Sequence, residues 1–197
     1  LEAISVGDAG WGDEMRMGAF WTVAVSISSI LLGLVIGIIF AGFKLSSIRV
    51  LNLIAEFYTT IIRGVPELLV IYLLFFGGGS AVMYVAKIFG YFGYIELQPF
   101  VIGTLAVGAI SGAYSTEVIR GAVNAIPRSQ FETGSALGLK GFRLYQKIIF
   151  PQVARLALAG IGNVWQITLK DTALISVTGL VEIMRQSRIA SGSTHEP

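Results

Sequence analysis

The sequence predicts an all-α, polytopic transmembrane helical bundle, and three observations carry that prediction. Hydrophobic residues make up 54% of the 197 and charged residues only 13%, against about a quarter charged in soluble domains. The apolar residues come in long uncharged runs, separated by short charged links. The links differ in their basic content, as a bilayer demands.

The first run, Met17 to Phe43, is 27 residues without a charge, more than the roughly 20 that a spanning helix needs. The flank before it is acidic, with Asp13 and Glu14, so it is not the basic region of a cleaved leader. A second run follows Glu67, and its helix is expected from Leu53 to the Gly77-Gly78-Gly79 triplet. This places Glu56, Arg63 and Glu67 in or near the membrane, where charge is costly unless paired or facing a polar path. The third run extends from Leu97 behind Gln98-Pro99, and a fourth goes from Phe150 to Leu169, interrupted only by Arg155, which can snorkel toward the nearer interface. The predicted spans are therefore about 18–43, 53–77, 97–119 and 150–169, in one transmembrane domain covering 1–197. Thr172 to Val181 is too short to cross as a helix and reads as partly inserted or surface-lying.

Lys44 and Arg49 follow the first span, and six basic residues lie between Arg120 and Arg155. The positive-inside rule puts those links in the cytoplasm and the N-terminus outside. Gly33 and Gly37 have the spacing that lets two helices approach closely. Trp11, Trp21 and Trp165 read as interface anchors or helix packing.

Composition also excludes whole classes of chemistry. The chain has no cysteine, and its one histidine is His195, so thiolate metal sites, cysteine nucleophiles and serine–histidine catalysis are out. No phosphate-cradling G-x-x-x-x-G-K-[ST] occurs, so this chain binds no ATP itself, and no other cofactor is expected. Nothing in the pattern suits nucleic acid.

The informative segment is the cytoplasmic loop 120–149. Pro127 opens one short helix, with Glu132 expected in its opening turn, where the dipole favours a carboxylate. Gly138 is placed to supply a left-handed cap. Phe142 to Phe150 reads as a second short amphipathic helix, and Pro151 as the opening of the fourth span. Such a helix–turn–helix is a docking element, or a bracket held by basic residues against anionic lipid.

The run "ETGSALGLKGFRLYQKIIFPQ" resembles the EAA loop of permeases of bacterial ATP-binding-cassette importers. Glu132 matches the leading glutamate, Gly138 the glycine, and Ile149 and Pro151 the ending. Thr133 and Gly134 stand where the motif has two alanines. "YTTIIRGVPELLVIYLLFFG", "AYSTEVIRGAVNAIPRSQFE" and "LKDTALISVTGLVEIMRQ" resemble the polar amino acid permeases of the histidine, arginine and glutamine type. The opening "GDAGWGDEM" looks most like the permeases for the opines octopine and nopaline.

That resemblance implies a type I importer permease fold, with a fifth span beyond Pro197. It implies a non-catalytic subunit that forms the path for an opine or polar amino acid. The partners would be a cytoplasmic ATPase dimer carrying ATP and Mg, a second permease homologous but not identical, and a periplasmic substrate-binding protein. Glu132, Gly138, Ile149 and Pro151 would form the ATPase-coupling loop. For the substrate path the candidates are Arg63, Glu67, Thr168, Asp171, Thr172 and Ser176. Arg63 and Glu67, four apart, could instead pair with each other, and the Thr168–Ser176 cluster could simply cap a helix end. A secondary transporter or channel subunit, or a membrane adaptor without a substrate path, remains the alternative.

Overall fold

A computed structural model of the chain describes residues 11–90, 98–178 and 183–194. Helix α1 spans Gly12–Leu45 and α5 spans Pro99–Asn124; both are long and apolar enough to cross a membrane. Between them run α2 (Arg49–Gly64), α3 (Glu67–Tyr72), a π-helical turn (Leu73–Gly77) and α4 (Gly78–Ile88). After α5 come the short α6 (Arg128–Ala136) and α7 (Phe142–Leu144). A π turn (Tyr145–Ile149) leads into α8 (Phe150–Asp171), followed by a 3-10 turn (Thr172–Thr178) and α9 (Ile183–Thr194).

The bundle is organised on α1 against α5. A stripe of small residues on α1, with Ser26, Ser29, Gly33, Gly37 and Ala41 buried, faces Gly108, Ser111, Gly112 and Ser115 of α5. A methyl group at Gly33 would sit 2.0 Å from Ser111 Oγ, and one at Gly37 2.6 Å from Ser115 Cβ. Conversely, Gly108 receives Leu32 and Gly112 receives Ile36. The spacing of Gly33 and Gly37 thus serves a crossing within the subunit. Ser111 Oγ donates to the Ser29 carbonyl at 3.1 Å, across the seam. Two membrane helices gain nothing by hiding apolar surface from lipid, so close packing and such hydrogen bonds hold them together.

The expected second span is not one straight helix. Val65 is extended (φ −107°, ψ 142°) before Pro66, as a residue preceding proline prefers. The segments Arg49–Gly64 and Glu67–Gly77 meet at 112°. Proline's missing N–H and ring sterics end α2 there and restart the chain as α3. Nor does the glycine triplet stop the helix, since the π turn passes through Gly77 into α4.

Two further expectations are settled by the structure. Of the two readings of the segment after Asp171, the inserted one fits and the surface-lying one does not: Ile175 is fully buried with Val25, Ile71 and Ile110, in space left by Gly103, whose added methyl would lie 2.9 Å away. Residues 179–181 of that expected segment lie outside the described residues. Phe142–Phe150 is not a separate helix either. It runs without a break into α8, and the π turn just ahead of Pro151 is the local widening that accommodates a proline in a helix. Trp165 Nε1 donates to Ser26 Oγ at 3.1 Å, and Trp21 meets Phe100 edge-on, so both pack between helices.

Gly37→Leu is expected to destabilise the bundle by about 1–3 kcal/mol or more through overpacking. Gly42, with nothing within 4 Å of an added methyl, should accept leucine within about 0.5 kcal/mol. Thermal unfolding of the two purified variants measures the difference.

Candidate functional site: two polar clusters along a central helix

Two polar clusters lie along α5, one turn apart. The first gathers around Tyr114. Its hydroxyl donates to Glu67 Oε1 at 3.3 Å, and the Arg63 guanidinium lies over its ring, 5.5 Å from the centroid, a cation–π arrangement. The buried Asp171 carboxyl at the end of α8 lies beside that of Glu67. The bend at Pro66 makes this possible by turning Glu67 toward α5 and α8 at the start of α3. Arg63 and Glu67 therefore do not pair as an i,i+4 couple on one helix; they stand on either side of the break and meet through Tyr114.

Thr168 and Thr172 are 1% exposed beside this cluster, with their hydroxyl protons committed to the Val164 and Leu169 carbonyls. They shape the site and keep acceptor lone pairs. Ser176 lies on the 3-10 turn, and its side chain is outside the described residues. Tyr114, the centre of the arrangement, went unnoticed in the sequence because a tyrosine in an apolar run looks like packing.

The second cluster stands one turn further along, beside the segment 128–149. Lys44 is only 5% exposed in its side chain and reaches Glu56 at 2.7 Å and Glu117 on its other side. Arg120 holds the second oxygen of Glu117 through two nitrogens, at 2.7 and 3.0 Å. The last turns of α1 and α5 and the polar face of α2 are thereby tied together. Glu117 and Arg120, three apart, give the only sequence sign of this network; the approach of Lys44 depends on the α1–α5 crossing. On its opposite side α2 turns Leu53, Phe57 and Ile61 outward, as hydrocarbon or an apolar partner requires.

In the segment 128–149, α6 ends in a Schellman motif. Gly138 takes φ +79°, its N–H donates to Ser135 O, and that of Leu139 donates to Gly134 O, both at 3.0 Å. Glu132 is not in the opening turn. It is the fifth residue of α6 and exposed, beyond the strongest reach of the helix dipole. Gly134, in place of an alanine, lies where α6 meets the next helix: a methyl there would sit 2.2 Å from Leu144 Cδ1 and 2.8 Å from Ile148 Cδ1. Ile149 is 1% exposed and packs with Ala122, Ile126, Leu144 and Val153, fastening the segment to α5 and α8. Leu137 and Phe142 instead stand 73% and 79% exposed at its tip.

A multi-helix bundle with intramembrane charge on a central seam, and a compact helical bracket at one end, is the architecture of a membrane transport subunit. The comparisons give the class its name. Residues 33–194 match the family of binding-protein-dependent transport system inner membrane components, and the chain belongs to that family. It is 51% identical to the nopaline transport system permease protein NocQ of Agrobacterium fabrum, over all of this chain and 84% of that protein. Against the histidine/lysine/arginine/ornithine transport system permease protein HisQ of Escherichia coli the identity is 43%, over 95% of this chain and 82% of the relative. A crystal structure of an amino acid ABC transporter with histidines superposes with a TM-score of 0.78, at 27% identity, covering 94% of this chain and 81% of that one. The chain is thus a multi-pass inner-membrane permease subunit of an ATP-binding-cassette importer, coupled to an ATPase partner. Family membership sets aside the secondary-transporter, channel and adaptor readings.

Glu117→Leu is expected to destabilise the subunit by about 1–3 kcal/mol, because it leaves the buried Lys44 with Glu56 alone. Adding Lys44→Met should recover part of that loss. Melting temperatures of both variants, measured in one detergent, check the sign of the recovery.

Proposed function

We propose that this subunit lines the translocation path for an opine or a related polar amino acid, with Arg63, Glu67, Tyr114 and Asp171 as the groups that meet the cargo inside the membrane. The observation that carries this reading is their convergence from α2, α3, α5 and α8 at the bend. Ionisable side chains in a bilayer are costly unless they pair or serve a polar path. Two neighbouring carboxylates and a guanidinium over an aromatic ring suit a molecule carrying charge of both signs. The 51% identity to a nopaline permease supports an opine as cargo. Thr168, Thr172 and Ser176 would complete the wall of the path.

The working assembly would contain an ATPase pair holding ATP and Mg, a second related permease and a periplasmic binding protein. Its N-terminus would face the periplasm. ATPase docking falls to the bracket 128–149, with Leu137 and Phe142 inserted into the partner while Glu132 and Gly138 fix the helix that presents them. Ile149 and Pro151 transmit rather than touch, because both lie where the bracket joins α8. What supports this is the exposure of Leu137 and Phe142 at the tip of the bracket, away from its buried core.

Reconstituted in liposomes with its partners, the full-length protein should show ATP hydrolysis stimulated by nopaline or octopine above a panel of basic amino acids. A complex that assembles yet ignores every ligand would overturn the cargo assignment. Gly138→Val should weaken ATPase recovery in a pull-down several-fold without loss of membrane insertion, since a β-branched residue resists φ +79°; Phe142→Ala should do the same through lost contact area. Undiminished recovery with both variants would argue against docking through this bracket.

A further inference from the structure

Beside the second cluster lies a cavity of about 390 Å³, lined among others by Lys44, Glu56, Thr59, Arg63, Glu117 and Arg120. Three cations face two carboxylates there. Glu117 has one oxygen on Lys44 and the other on Arg120, and Glu56 is held by Lys44, so both carboxylates are already neutralised. The remaining positive charge belongs to Arg63, which has no hydrogen bond or ion pair among the described residues and rests on the Tyr114 ring. Its planar fork of donors matches a carboxylate bidentately.

Arg63 also borders the first cluster, where the Glu67 and Asp171 carboxyls lie side by side. Tyr114 and Glu117 are three residues apart on α5, a rise of about 4.5 Å. An acid pair and a cationic cavity therefore stand about one helical turn apart, with Arg63 at their junction. This is a two-pole surface, acidic on one side and basic on the other.

We propose that the cavity is a carboxylate-binding pocket that takes the carboxylate pole of an opine, with Arg63 as its direct ligand, while the guanidinium end rests on Glu67 and Asp171. The inference rests on the reading of those residues as part of the cargo path. An opine joins a basic amino acid to a keto acid through nitrogen, so it carries more carboxylates than the free amino acid and one guanidinium. Lys44 and Arg120 are spent on Glu56 and Glu117, so the net positive charge of the cavity comes from Arg63. Arg63 thereby favours a cargo that carries a carboxylate over one that carries only a guanidinium. Because Arg63 is exposed and outside both buried cores, replacing it leaves the fold intact.

The test uses the full-length permease complex with its ATPase, without binding protein, and equilibrium binding of radiolabelled nopaline, L-arginine and agmatine. Agmatine keeps the guanidinium and lacks every carboxylate. Affinity should rise from agmatine through arginine to nopaline. Arg63→Gln should weaken nopaline about tenfold, as expected for loss of one charge-assisted contact, and agmatine less than twofold. Arg63→Lys should recover only part of the nopaline loss, because a point charge lacks the bidentate fork. Equal weakening of all three ligands would overturn the pocket, and so would an unchanged affinity for nopaline. ATP turnover that responds to nopaline through the binding protein, in a complex whose own binding ignores carboxylate number, overturns the pocket alone. Turnover indifferent to every opine and amino acid overturns the cargo reading beneath it.

Discussion

The approach of α1 to α5 is the constraint on which the other features depend. At Gly33 and Gly37 the backbones come so near that no β-carbon fits on one side, and Leu32 and Ile36 fill the glycines on the other. In hydrocarbon the hydrophobic effect does not drive such a contact; dispersion across a tight seam and hydrogen bonds such as Ser111 to Ser29 take over. A wider seam would move Lys44 at the end of α1 away from Glu117 on α5. Glycine and serine in the middle of the helices thus decide which charges meet at their ends.

The bend at Pro66 acts at the next level. A straight helix would put Arg63 and Glu67 on one face and invite them to neutralise each other. Ending α2 before proline and restarting at Glu67 leaves the guanidinium on Tyr114 and the carboxyl on the tyrosine hydroxyl, beside Asp171. The helical period of α2 sets its two faces apart, so that Glu56 and Arg63 line a cavity while Leu53, Phe57 and Ile61 look outward. One chain break therefore keeps a mixed-charge surface open that local pairing would have closed.

Much of this fold was legible in the sequence, and the reasons differ by element. Long apolar runs marked α1, α5 and α8 because the length of a spanning helix is set by the bilayer itself. Gly138 was legible because a left-handed cap is a local requirement of the backbone. The break at Val65-Pro66 was missed because apolar composition continues through it. Pro151 misled for the converse reason, since a π turn carries the helix past a residue that normally opens one. Of the cargo-path candidates, Arg63, Glu67 and Asp171 were visible as charges out of place. Tyr114 and the Lys44–Glu117 contact were not, because both depend on which turns of α1 and α5 come to face each other.

The unbroken passage from α7 into α8 has a mechanical consequence. Ile149, clamped in the bracket's core, and Asp171, beside Glu67, sit at the two ends of α8. The 22 residues of that helix make a rod of about 33 Å. With no kink to absorb movement, a tilt of about 5° pivoting at the bracket would carry the Asp171 end through about 3 Å. That is enough to break or make a hydrogen bond. The continuous helix is a lever, with a tight hydrophobic socket as its fulcrum and a carboxyl group at its tip.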